Sequence, residues 1–114
     1  MPVMTQTEGM MVRTWSATAD AVGAGKYSRY FDGTLLPELR KLPGFHGAYL
    51  LRRDLGDDGS VELTTHTFWD SADAIRAFAG DDITVSVVEP EAQAMLLDFG
   101  RTAAHRSVVV DARG

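Results

Sequence analysis

The chain lacks cysteine altogether. That excludes disulfide staples, thiol nucleophiles, iron–sulfur clusters and zinc ribbons, and it fits a reducing compartment. Positive charge is in short supply: 11 Lys and Arg stand against 16 Asp and Glu, a formal net charge of −5. No stretch is basic enough to track a phosphate backbone, so nucleic acid is not expected as a main partner. Long apolar runs are also missing; none approaches the roughly 20 residues that a bilayer span requires. The opening Met1-Pro2-Val3-Met4-Thr5-Gln6-Thr7-Glu8 has neither a basic region nor an apolar core of the secretory kind. These absences together predict a soluble, cytoplasmic protein that does not engage a membrane. With 114 residues, 45% apolar and 24% charged, what is present is the composition of one globular domain. A flexible lead over 1–9, a domain over 10–110 and a tail over 111–114 are expected.

Alternation and helical spacing give the order of elements. Residues 10–16 are rich in strand-compatible side chains. After the breaks at Ala19-Asp20 and Gly23-Ala24-Gly25, the residues Tyr27, Phe31, Leu35 and Leu39 recur at helical spacing. Pro37 interrupts that helix, because its ring meets the carbonyl four residues back. A kink or restart is expected near Asp32-Gly33-Thr34, with Thr34 capping a second short helix through Lys41. Strands follow over 45–53 and 61–69, joined by a turn at Asp57-Asp58-Gly59. Asp70 or Ser71 then caps a helix that buries Ile75, Phe78 and Ala79 and closes at Gly80. Residues 81–88 are ambiguous between strand and helical turn. Pro90 starts a third helix with Ala92, Met95, Leu96 and Phe99 inward, stopped by Gly100. Residues 103–110 form the last strand.

That order is the split βαβ, or ferredoxin-like, plan: α+β, with a four-stranded antiparallel sheet and its helices on one face. Several strands carry apolar groups on both parities. Phe45, Tyr49 and Leu51 share one parity of the second strand and Ala48 and Leu50 the other; Val108 and Val110 oppose Val109 in the last. A sheet apolar on both faces needs two covers, and a second copy of the chain is the expected source of the second one. The expected assembly is a homodimer with sheets face to face.

Motifs for dedicated chemistry fail on their own terms. Gly23-Ala-Gly25-Lys26 lacks the glycine at position 20 and the hydroxyl at position 27 that a phosphate loop needs. Asp54-Leu-Gly-Asp57-Asp58-Gly59 begins like a calcium loop, but its twelfth position is Thr65 rather than Glu. No nucleophile elbow is present. His46, His66 and His105 show no ligand spacing, so no metal site is expected. His66 lies in mid-strand beside Phe68 and Trp69, where a half-buried imidazole has a pKa that its surroundings can move into the working range.

Several blocks resemble the antibiotic biosynthesis monooxygenase family of dimeric α+β-barrel proteins. They are Arg13-Thr-Trp15, Leu36-Pro-Glu-Leu-Arg-Lys-Leu-Pro-Gly44 with Gly47-Ala-Tyr-Leu-Leu-Arg-Arg53, Phe68-Trp-Asp-Ser-Ala-Asp-Ala-Ile-Arg-Ala-Phe-Ala-Gly-Asp81, and Val88-Glu-Pro-Glu91 with the strand from His105. The resemblance implies a homodimer with a pocket in each subunit between helices and sheet. It also implies one of two activities. One is cofactor-independent oxygenation of polycyclic phenols, in which the substrate's own carbanion reduces dioxygen. The other is oxidative haem degradation. The Asn, Trp and axial His of the haem degraders correspond to about Thr14, Phe78 and Val88 here, and none matches, so no cofactor is expected.

Oxygenation of a small aromatic, polyketide- or phenol-like molecule asks for a base, an oxyanion donor and dry aromatic walls. The candidates are His66 as acid/base group, Arg13 or Tyr30 as donor, Trp15, Trp69 and Phe78 as walls, and His105 as a second acid/base group. A haem or other small-molecule binder, and a dimeric domain without catalysis, are the alternatives. The parity of the third strand decides whether His66 faces the pocket or the dimer interface.

Overall fold

The computed structural model describes residues 10–56 and 58–112. The expected lead over 1–9, Asp57 of the hairpin turn and the last two residues of the tail lie outside them. The elements are β1 (Met11–Ala19), α1 (Ala21–Tyr30), a π-helical turn (Phe31–Leu35), α2 (Leu36–Leu39), β2 (Phe45–Asp54), β3 (Val61–Trp69), α3 (Ala72–Ala79), α4 (Pro90–Gln93), β4 (Asp98–Phe99) and β5 (Ala104–Ser107). The sheet is antiparallel in the order β2-β3-β1, and β4 and β5 lie one after the other along the outer edge of β1. Helices pack on one face, so the fold is ferredoxin-like α+β.

The strand β1 begins near its expected start and runs three residues further. Asp20 then caps α1 by accepting from Gly23 N–H at 2.7 Å, so Gly23 and Gly25 sit inside the helix rather than before it. Gly23 has a steric reason to be there: a β-carbon on it would lie 2.2 Å from the Met95 carbonyl oxygen. The proline problem is solved by widening, not by breaking. Leu36 N–H donates to the Phe31 carbonyl five residues back, and the chain passes through Pro37 without a break; Thr34 is exposed and caps nothing. Ser71 caps α3 through Ala74 N–H at 3.2 Å. Gly80 ends that helix with φ of +87°.

The expected helix over 90–99 is corrected. Only its first turn, Pro90–Gln93, is helical. Leu97 N–H donates to Thr18 O at 2.8 Å and Gly100 N–H to Ser16 O at 2.8 Å, because the exposed edge of β1 offers carbonyls that a helix end leaves unused. Phe99 therefore lies in a strand. The expected last strand shortens to Ala104–Ser107, and residues 81–88 form neither strand nor helix beyond one bridge from Val85 to Thr102.

Alternation assigns the faces. Arg13, Trp15, Ala17 and Ala19 of β1 and Val61, Leu63, Thr65, Thr67 and Trp69 of β3 are buried beneath the helices. The opposite face carries Val12, Thr14, Ser16 and Thr18 beside Phe68, His66, Thr64 and Glu62. A bulge between Phe45 and Gly47 switches the parity of β2: Phe45 pairs with Trp69 on the helix side, whereas Gly47 pairs with Phe68 on the open side. Tyr49 and Leu51 follow Gly47 onto the open face and remain 48% and 43% exposed. Beneath the helices, one core cluster joins Trp15, Tyr27, Tyr30, Phe31 and Leu63; a second joins Leu39, Trp69 and Ile75.

Glycine to alanine inside a helix ordinarily stabilises by up to about 1 kcal/mol. Gly23→Ala is expected to reverse that sign and destabilise by about 1–3 kcal/mol, because the methyl group collides with the Met95 carbonyl. A urea titration followed by circular dichroism measures it, with Gly25→Ala, whose β-carbon has room, as the comparison.

Candidate functional site

A pocket opens at the seam of the two core clusters. Its floor is Arg13 and Trp15 of β1 with Thr65 and Thr67 of β3, and its walls are Tyr27, Phe31, Leu35, Leu39, Phe78 and Val87. Register explains the floor, since Arg13 pairs with Thr67 and Trp15 with Thr65. Helical spacing explains the walls, since Tyr27, Phe31 and Leu35 are four residues apart. The cavity measures about 40 Å³, room for a few waters.

Arg13 is its outstanding group, only 4% exposed. Nη1 donates to Ile83 O at 2.5 Å and Nη2 to Val85 O at 3.0 Å. Its guanidinium carbon lies 5.6 Å from the Phe78 ring centroid. Among the described residues, no carboxylate forms an ion pair with it. Burial lowers its pKa, yet a guanidinium stays charged. Among the described residues, the buried positive charge is thus met by neutral dipoles and a π-face.

His105 of β5 pairs with Arg13 across the sheet and meets Nη1 through Nε2 at 3.0 Å. A guanidinium only donates, so Nε2 is the acceptor and the ring carries its proton on Nδ1. Burial and the adjacent positive charge both lower the His105 pKa. The imidazole is thus neutral near pH 7 and basic at the nitrogen nearest the pocket.

The remaining predicted site residues divide clearly. Trp15 lines the pocket, pinned by a 2.8 Å hydrogen bond from Nε1 to Gly100 O. Phe78 lines it too and stacks on Trp69 at 6.0 Å between centroids. Trp69 itself is fully buried one layer behind, its Nε1 donating to Thr67 Oγ1 at 2.8 Å. Tyr30 is buried among Tyr27 and the first core cluster and does not line the pocket; burial, then Glu89 and Glu91, raise its pKa. His66 lies on the open face between Thr14 and Tyr49, on the side of the sheet away from Arg13. The expectation that His66 shares the pocket is therefore corrected: the strand pattern fixed its neighbours, but the helices cover the other parity. Tyr27, expected on the helical stripe with Phe31 and Leu35 and not among the donor candidates, lines the pocket where Tyr30 does not. Burial, then the charge of Tyr30, raise its pKa far above the usual phenol value, so it remains a protonated donor. Thr65 and Thr67 went unnoticed, although both alternate with Leu63 and Trp69.

The residues present do not suit haem. No imidazole lines the pocket, and the nearest ring nitrogen accepts from Arg13. Thr14 is on the open face, Phe78 is a wall, and Val88 packs against the first cluster. No group of three or more His, Asp or Glu among the described residues is placed to hold a metal ion. No helix among them is long and apolar enough to cross a membrane.

No protein-family model matches the chain, and no curated protein does. Solved structures do. A Bacillus cereus protein assigned to the antibiotic biosynthesis monooxygenases aligns with a TM-score of 0.62 at 17% identity, over 92% of this chain and 96% of that one. A monooxygenase of Streptomyces coelicolor with nanaomycin D bound aligns with a TM-score of 0.58 at 16% identity, over 93% and 92%. A haem-degrading protein of Mycobacterium tuberculosis, haem-free, aligns with a TM-score of 0.54 at 24% identity, over 93% and 99%. The chain thus has the fold of the antibiotic biosynthesis monooxygenases along almost its whole length, a fold shared by monooxygenases and haem degraders alike.

Because the folded His105 pKa is depressed, this residue favours the folded state above its unfolded pKa of about 6.5. That contribution is lost as pH falls through the folded pKa. Stability is expected to drop on acidification below about pH 6.5, and His105→Gln, whose amide oxygen still accepts from Arg13, is expected to flatten that drop. Thermal unfolding of both proteins from pH 7.5 to 5 checks it.

Proposed function

We propose that the chain is a small cofactor-independent monooxygenase acting on an aromatic, phenol- or polyketide-like substrate in the helix–sheet pocket. The observation that carries this reading is the buried guanidinium of Arg13, ion-paired to no carboxylate among the described residues, set in an aromatic pocket with a neutral imidazole at its edge. A phenol or anthrone bound there loses a proton with His105, which adjoins Arg13 at the edge of the pocket rather than lining it, as the acid/base group, and Arg13 holds the resulting oxyanion. The carbanion form of the substrate reduces dioxygen. One oxygen atom becomes a new carbonyl and the other leaves as water; the two hydrogens come from the methylene of an anthrone, or from the para C–H and the hydroxyl of a phenol. Trp15, Phe31 and Phe78 hold the ring plane and exclude bulk water. Tyr27 donates a hydrogen bond without ionising. Tyr30 and Trp69 act as positioning residues behind Tyr27 and Phe78.

Two features support self-association through the open face. Tyr49 and Leu51 stand exposed beside Phe68 there, with Tyr49 and Phe68 edge to face at 5.8 Å. Val110, beyond β5, is 73% exposed and lies with Val108 beside Phe68. Such a surface is larger than isolated apolar side chains require, and a homodimer with the sheets face to face covers it. A cytoplasmic location fits the cysteine-free composition.

Anthrone oxidation followed by absorbance is the direct test. Arg13→Gln and His105→Gln are each expected to lower kcat/KM by about 10²–10³, while His66→Gln, on the far face, leaves the pocket chemistry unchanged. Equal rates for the unmodified protein and both pocket variants refute the scheme. Light scattering at micromolar concentration is expected to give twice the monomer mass, and Leu51→Glu is expected to give the monomer.

A further inference from the structure

Arg13 spends two of its donors on carbonyls of one short segment, Ile83 and Val85. That segment belongs to no helix or strand. It closes the pocket on the side where Val87 is a wall. Besides the packing of Ile83 and Val88 against the cores, it is held by Ser86 N–H to Arg101 O at 3.1 Å, Ala103 N–H to Thr84 O at 2.8 Å, Gln93 Nε2–H to Val88 O at 2.9 Å and the Asp82 turn contacts. Three observations point the same way. The cavity of about 40 Å³ is far below the ~300–1,000 Å³ of small-molecule sites, so an aromatic ligand enters only if a wall moves. The wall with the weakest local structure is the one clasped by Arg13. And neutral carbonyls are weaker partners for a guanidinium than an anion, which receives two parallel charge-assisted bonds in fork geometry.

We propose that the ligand of this pocket is a planar aromatic molecule carrying a formal negative charge, and that its anionic group replaces the Ile83 and Val85 carbonyls on Arg13, releasing residues 81–88 as the pocket fills. The inference rests on the reading of the pocket as a ligand site. It goes further by fixing the substrate class as an aromatic carboxylate or phenolate, the phenolate being the deprotonated form that Arg13 holds in the reaction above, and by making Arg13 both the closing clasp and the recognition group. A neutral ring offers nothing in exchange for the two carbonyl bonds it breaks. An anion offers a stronger pair at the same donors, so opening and recognition become one event.

The test uses 2-naphthoate and the neutral 2-naphthylmethanol as probes on the full chain. Binding is read by calorimetry and by fluorescence of the two tryptophans, and opening by amide hydrogen exchange. 2-Naphthoate is expected to bind about 10- to 100-fold more tightly than the alcohol. That preference disappears in Arg13→Gln, and saturation with naphthoate speeds exchange at the Ser86 and Ala103 amides. If both probes bind equally, the anionic class is overturned while an aromatic pocket stands. If naphthoate binds tightly but leaves those amides protected, the exchange of partners is overturned. If neither binds, the ligand-site reading falls as well. Should Arg13→Gln fail to fold, the acid-to-alcohol ratio on the unmodified protein still decides the matter.

Discussion

A positive charge buried between a sheet and its helices, with no negative charge against it among the described residues, is the constraint on which the rest of the site depends. Burial of an unpaired ion costs several kcal/mol even after the protein relaxes, so every dipole near Arg13 is arranged around it. Ile83 and Val85 turn their carbonyls inward, His105 presents a lone pair rather than a proton, and Phe78 offers its π-face. A purely structural arginine in such a place gains most from an aspartate or glutamate. Its absence leaves the charge available to something that comes and goes.

The fold supplies the place for that charge by keeping two cores incompletely merged. α1 packs on the Ala17–Leu63 end of the sheet, while α2 and α3 pack around Trp69 at the other. The π-helical turn at Phe31–Leu35 joins the two halves without a loop, carrying the Tyr27–Phe31–Leu35 row past Pro37 and leaving Leu39 in the second core. Insertion of one extra residue per turn is a common device at functional sites. Here it lets one nearly continuous helical stretch wall the pocket from both sides.

Much of this was legible in the chain. The bounds of the run from Val61 to Trp69 followed from its strand-compatible side chains and the turn before it, and Gly80 with either Asp70 or Ser71 bracketed α3 by capping chemistry. Arg13, Trp15, Phe78 and His105 were named as candidates and do come together. The misses have physical causes. Alternation tells which residues share a face but not which face the helices choose, and that reversed His66. The bulge at His46 changes parity one residue into β2, which no period-two count detects. Tyr27 and Tyr30 lie less than one turn apart and both carry the same chemistry, so spacing did not separate them. The 94–99 stretch has helical propensity throughout, but the unfilled edge of β1 outcompeted it. The valines of 81–88 imitate a strand that finds only a single bridging partner.

The break between β4 and β5 has a consequence for how the protein survives at high concentration. At that gap, residues 101–103 turn their backbone groups outward and pair with Thr84, Val85 and Ser86, so the middle of the sheet's outermost edge is plugged by the pocket's own cover. An open edge is a template for adding foreign strands. The same few hydrogen bonds that seal the cavity thus also close this stretch of edge to a foreign strand, and one short segment serves both ends at once.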